Sequence, residues 1–267
     1  FKADGLNAKF CEGLSLMRYL TGSSFNTQVD QRWREYFLEM FKKESIGLTF
    51  TDARFICWAA NNSQLEKSVC WQEVAEEAIS RLSRILTHER DYCYLTNSNG
   101  EMNTGWEATQ EGWTLQGVTS VYSITGSLSA RKLADELARY LKDHAQIFDA
   151  NGRFLARHES EKGPALHFHG NGNTMAALSE YALATHDQEF AGFVQKGYEY
   201  ARSVGWPLVG FFPEYIDDWP DDRPYIDCET CATVDMVITA LNLSKLDLGD
   251  YWDDVDRYVR NQFTEMQ

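Results

Sequence analysis

Ile124-Thr125-Gly126-Ser127 closes an apolar helical run, Gln116–Tyr122, and is answered roughly sixty residues later by Ala184-Thr185-His186-Asp187 after Met175–Tyr181. The helices that follow also correspond: Leu133–Leu141, Phe190–Ala201 and, in a third copy, Tyr251–Val259. Self-similarity at this period, with two helices per unit, reads as stacked αα-hairpins. Outward from these turns, apolar residues recur at three- and four-residue spacing while period-two strands are nearly absent, so the chain is all-α. The pattern predicts helices near 8–21, 27–43, 68–87, 112–125, 128–147, 172–185, 188–204, 230–245 and 249–265.

Hairpins of this kind form an open solenoid or close into a ring. The connections 88–111, 148–171 and 205–229 are long and rich in aromatic, Asn, His and acidic residues. Long, chemically varied loops are more often functional than structural, and in a closed ring one rim of loops faces a common pocket. The expectation is therefore a closed ring of α/α hairpins in one domain over 1–267. Residues 1–110 form the earlier hairpins and 111–267 carry the site. The start at Phe1-Lys2-Ala3-Asp4 and the end at Thr264-Glu265-Met266-Gln267 interrupt this pattern, and the expectation is a barrel incomplete at both ends.

Composition narrows the partners. With 267 residues and 13% aromatic content the chain can bury a large core. A net charge of −15 argues against nucleic acid and anionic membrane surfaces. No apolar run approaches the roughly eighteen residues that span a bilayer, so a soluble protein, cytoplasmic or periplasmic, is expected. Six scattered cysteines do not make a disulfide scaffold.

Three groups of residues point to chemistry. The first is His167-Phe168-His169-Gly170-Asn171-Gly172-Asn173. On an extended segment its alternate histidines and asparagines would face one way, and their donors and acceptors suit sugar hydroxyls. A polar turn capped by Asn173 is the plainer reading. The second is Glu214 in Gly210-Phe211-Phe212-Pro213-Glu214-Tyr215, where apolar neighbours suit a carboxyl to general-acid work. Asp217, Asp218, Asp221 and Asp222 beside it read as a solvated acidic loop. The third is Trp106, Trp113, Trp206 and Trp219, whose rings can stack on sugar faces or simply fill the core.

Asp227-Cys228-Glu229-Thr230-Cys231 adds a carboxylate and a thiol two residues apart at a predicted helix start, where the dipole favours thiolate. Glu229 and Cys231, with Cys228 as a third donor, are possible zinc ligands. No cysteine or histidine follows Cys231, so the set is either half a zinc site or no zinc site.

On these residues the chain resembles the β-L-arabinofuranosidases of glycoside hydrolase family 127 and relatives such as family 154. His169–Asp187 is similar to that family's His-x-Asn-Thr helix start and its Thr-Gly-Asp turn, here Thr185-His186-Asp187. Glu229-Thr230-Cys231-Ala232 is similar to its Glu-Thr-Cys zinc segment, and Asp250-Tyr251 with Arg257–Asn261 resembles the next helix. The resemblance covers roughly 110–267. It implies a six-hairpin barrel that hydrolyses a terminal sugar, arabinofuranoside or uronide-like, of a plant- or algal-type glycan. It also implies Glu214 as general acid/base, fifteen residues before Glu229, His169 as a sugar contact, and Glu229 and Cys231 on zinc. The family's nucleophile is a cysteine from an adjacent pair further downstream, with no counterpart here. A β-sandwich domain or a second copy is an expected partner. Two rival readings are a sugar epimerase, with His167 and His169 as acid and base, and a non-catalytic toroid that binds glycan.

Overall fold

The computed structural model describes residues 5–43, 53–160, 163–217 and 227–266, and it is predominantly helical. Trp219, Asp218, Asp221 and Asp222 lie outside the described residues. In chain order the helices are α1 (Gly5–Thr21), α2 (Gln28–Lys42), α3 (Ala53–Leu65), α4 (Val69–Ile85), α5 (Trp106–Thr109), α6 (Glu111–Thr125), α7 (Leu128–Asp143), α8 (Phe168–Thr185), α9 (Gln188–Ser203), α10 (Thr230–Lys245) and α11 (Trp252–Tyr258). Two short antiparallel hairpins interrupt them: β1 (Thr87–His88) with β2 (Cys93–Tyr94), and β3 (Arg157–Ser160) with β4 (Gly163–Leu166).

The repeated turn is the same device twice. Thr125 donates its hydroxyl to the Val121 carbonyl, and Thr185 does the same to Tyr181. Gly126 (φ +72°) and His186 (φ +56°) then leave each helix through the left-handed region, a common helix stop. Ser127 accepts from the Ala130 amide, and Asp187 from Glu189 and Phe190, capping the next helix. Asp247 (φ +57°) follows α10 in the same conformation.

The chain gathers into two compact units. One comprises Phe1–Leu95 and Trp113–Glu136, the other Thr96–Gly112 and Leu137–Gln267. The first is built around α3, packed against α1 and α4. Its aromatic core sets the Phe55 ring 6.0 Å from Phe37 and 5.2 Å from Phe41, and Trp58 5.0 Å from Trp71. In the second, α8 and α10 pack on one another and α9 covers both. Nearly every residue of α8 from Phe168 to Ala182 is buried, whereas α9 buries one stripe, the expected contrast between an inner and an outer helix.

The observed helices differ from the predicted ones in three places that bear on the fold. The sequence pattern gave no helix at α3, because ARFICWAANNSQL is buried on almost all sides and lacks an amphipathic period. The helix predicted from residue 172 starts instead at Phe168, capped by His167 rather than Asn173. The last predicted helix ends α-helical character at Tyr258 and continues as a π-turn over Val259–Phe263.

Candidate active site

The helix start at His167 organises the site. Nδ1 of His167 accepts the Gly170 amide at 3.1 Å, so the imidazole is the Nε2–H tautomer. Tertiary contacts hold this unusual cap: the Phe168 amide donates to the Glu214 carbonyl, and His167 pairs with Tyr215 across an isolated bridge. A second bridge joins Pro213 to Cys228, and the Glu214 amide donates to Asp227. The Glu214 and Glu229 segments thus run side by side next to the first turn of α8.

Around that turn lie several rings. Trp106 sits 4.2 Å from His158 and 5.2 Å from His167 between centroids, and His167 is 6.4 Å from His169. Nδ1 of His158 lies 3.3 Å from the Tyr215 hydroxyl. The Trp106 ring lies directly over Gly170, where an added Cβ would come within 2.3 Å of it. His169 pairs through Nδ1 with Oδ2 of Asp235 at 2.8 Å, and Asp235 is itself buried in α10.

Glu229 is the N-cap residue of α10, yet its side chain makes no capping bond. Its Oε2 is buried without a hydrogen-bond partner and lies 3.7 Å from Nε2 of His167. That is an acceptor held in reserve beside an imidazole N–H, a cost that structural sites normally avoid.

Burial pushes the His167 pKa down from 6.5 to about 4, with His169 and His158 adding repulsion. The folded protein therefore binds this proton less readily than the unfolded chain. The resulting stability is fully present above about pH 6.5 and is lost as pH falls towards 4. His167→Asn, which can still cap but does not titrate, is expected to flatten the pH dependence of the thermal midpoint in that window. An unchanged slope in the variant would assign the acid sensitivity to other groups.

The expected sugar-binding set is only partly assembled. Helical geometry turns successive residues by about 100°, so the alternate residues of 167–173 do not share a face. Asn171 is a correction: it is fully buried, its Oδ1 taken by the Ala156 amide and its Nδ2 by the Ala156 and His167 carbonyls. Asn173 is also closed to solvent, with Nδ2 unpaired but packed against Gly112. Trp106 joins the histidines. Trp206 lies 4.7 Å from Phe211 with the rings tilted by 45°, and lines a cavity of about 350 Å3 with Ser203, Val204, Gly205, Pro213 and Ile216. Trp113 belongs to the other unit, where Lys9 Nζ lies 3.8 Å over its ring.

The metal donors named from the sequence do not gather. Among the described residues, Cys228, Glu229 and Cys231 form no trio of neighbouring ligand atoms. Cys231 is exposed on the first turn of α10. Burial raises the Cys228 thiol pKa, opposite to the expected effect of the helix start, and its Sγ faces the Thr233 hydroxyl at 3.9 Å. The acidic loop also reads differently at Asp217, which accepts the Leu166 amide and pairs with Arg157 at 2.7 Å.

No protein-family model matches the chain, and no curated protein sequence matches it either. Solved structures do. Unsaturated glucuronyl hydrolase from Bacillus sp. GL1 superposes with a TM-score of 0.68 at 12% identity, over 96% of this chain and 72% of that one. The fold is an (α/α) toroid. Cellobiose 2-epimerase from Spirochaeta thermophila matches with a TM-score of 0.65 at 12% identity, again over 96% and 72%. An α-1,6-mannanase of glycoside hydrolase family 76 from Salegentibacter matches at 0.63 and 13% identity, over 97% and 76%. At such identities the likeness is one of fold. Among the described residues, no helix of this toroid is long and apolar enough to cross a membrane.

Proposed function

We propose that this chain is a glycoside hydrolase that removes a terminal sugar, arabinofuranoside or uronide, from a plant- or algal-type glycan. The observation that carries the reading is two glutamates on adjacent segments: Glu214, whose backbone bonds to Phe168 and Asp227, and Glu229, with a buried oxygen that has no hydrogen-bond partner. Glycoside hydrolysis needs two such groups. Glu214 gives its proton to the glycosidic oxygen as the bond to the anomeric carbon breaks. Glu229 takes a proton from the water that adds to that carbon. Trp106 offers a face for the sugar ring, and His169, oriented by Asp235, offers a hydroxyl contact. Asp217, occupied by Arg157 and the Leu166 amide, is unsuited to the second-carboxylate role.

The glycosidases among the structural neighbours support the class. The motifs similar to family 127 support arabinofuranoside as a substrate, and the glucuronyl hydrolase neighbour supports a uronide. The zinc that those motifs imply finds no assembled donor set at Cys228, Glu229 and Cys231, and no step here depends on it.

A second reading, sugar epimerisation, draws on His167 and His169: one is kept neutral and the other is backed by Asp235. Incubation with aryl arabinofuranosides, an unsaturated glucuronyl oligosaccharide, α-1,6-mannotetraose and cellobiose separates the two. Release of a free terminal sugar is expected from an arabinofuranoside or the uronide. Conversion of cellobiose to an isomer without new reducing ends would overturn hydrolysis in favour of epimerisation.

A further inference from the structure

A second cluster of chemical side chains lies in the other unit, unrelated to the carboxylate pair. The β1–β2 hairpin sets His88 directly opposite Cys93, and Glu136 reaches them from α7. His88 Nδ1 lies 2.7 Å from Glu136 Oε2, and the donor atoms of all three residues lie within 4.8 Å of one another. Cys93 is fully buried, Glu136 nearly so, and the His88 side chain is about a third exposed. A tetrahedral zinc ion with bonds of about 2.0–2.3 Å holds its donors roughly 3.3–3.8 Å apart, within reach of this arrangement after small rotamer shifts.

The surroundings of His88 point the same way. Its Nε2 faces the Ser83 carbonyl at 2.8 Å, so that nitrogen carries a proton, and Nδ1 faces Glu136 Oε2 across a hydrogen bond whose proton a metal ion would displace. A ligating histidine typically donates its other N–H to a backbone carbonyl, which fixes the ring for the metal. Lys132 approaches the second oxygen of Glu136 at 3.7 Å, leaving Oε2 to face the imidazole.

We infer that His88, Cys93 and Glu136 form a zinc site in the first unit, with a solvent molecule as fourth ligand on the exposed side of His88. The donor set of one thiolate, one imidazole and one carboxylate suits zinc better than magnesium or calcium, which prefer oxygen alone. Binding releases the Cys93 thiol proton and any proton on Nδ1 to solvent, so affinity rises with pH. The ion would tie the β1–β2 hairpin to α7 and stabilise this unit increasingly, with the logarithm of free metal, above the dissociation constant.

Chelator-treated full chain titrated with Co2+ tests this by the thiolate-to-cobalt absorption band, followed by competition with Zn2+. The expected result is saturation at a single equivalent and bleaching by zinc. Cys93→Ser should abolish the band, and His88→Gln, at a partly exposed position, should weaken binding by about tenfold or more. Circular dichroism confirms that each variant is folded. Cys231→Ser should leave the band unchanged. Absence of a band, its survival in Cys93→Ser, or its loss in Cys231→Ser would overturn the assignment; the first would leave His88 and Glu136 as a simple ion pair.

Discussion

Glu214→Gln should lower the release of terminal sugar by about 10²- to 10⁴-fold, the usual contribution of a positioned general acid. The change is nearly isosteric and removes only the transferable proton. The Glu214 backbone holds its segment in place, donating to Asp227 and accepting from Phe168, and neither bond involves the side chain. KM should stay close to that of the parent while kcat falls. A substrate with a good leaving group, such as a nitrophenyl glycoside, should lose less, because its departing oxygen needs less protonation. Glu229→Gln should be impaired on both kinds of substrate, since activation of water does not depend on the leaving group. If Glu214→Gln keeps more than about a tenth of the parental kcat on a poor leaving group, Glu214 is not the acid.

The sequence carried the hairpins because their turns are chemically explicit. Thr125-Gly126-Ser127 and Thr185-His186-Asp187 encode the same stop and the same cap, and the structure uses both. Helix α3 escaped notice because burial on every side erases the period that signals a helix. At the site, local preference misled. Asn173 is a better cap than histidine in isolation, but the Glu214 and Tyr215 segment fastens the chain to Phe168 and His167, six residues earlier in sequence. That earlier start rotates Asn171 into the core. Partners of the histidines were illegible because they come from far along the chain: Tyr215 lies 57 residues from His158, and Asp235 66 from His169. Asp235 did leave a trace, a lone carboxylate inside the apolar run of α10, between Val234 and Met236. A charge buried in such a run demands a partner, and His169 is that partner.

The space that Asp235 occupies is made by a glycine, and this leads to a change of sign between two backgrounds. Gly172 lies in α8, where a Cβ would stand 3.0 Å from Oδ2 of Asp235 and 3.4 Å from the Phe168 ring. Gly172→Ala alone should be destabilising. The clash with a carboxylate held by His169 costs about 1–3 kcal/mol and outweighs the roughly 0.5–1 kcal/mol that alanine gains over glycine inside a helix. Asp235→Ala alone should cost about 1.5–3 kcal/mol, through loss of a buried charged hydrogen bond and its packing. In the Asp235→Ala background the obstacle is gone, so Gly172→Ala should become stabilising by up to about 1 kcal/mol. Denaturant unfolding of the four proteins measures the coupling directly. Effects that add to within about 0.5 kcal/mol would mean that Gly172 does not make room for Asp235. A reversal of sign would show that the helix gives up intrinsic stability at Gly172 to hold His169 and its carboxylate in register. The glycine would then serve the site rather than the fold.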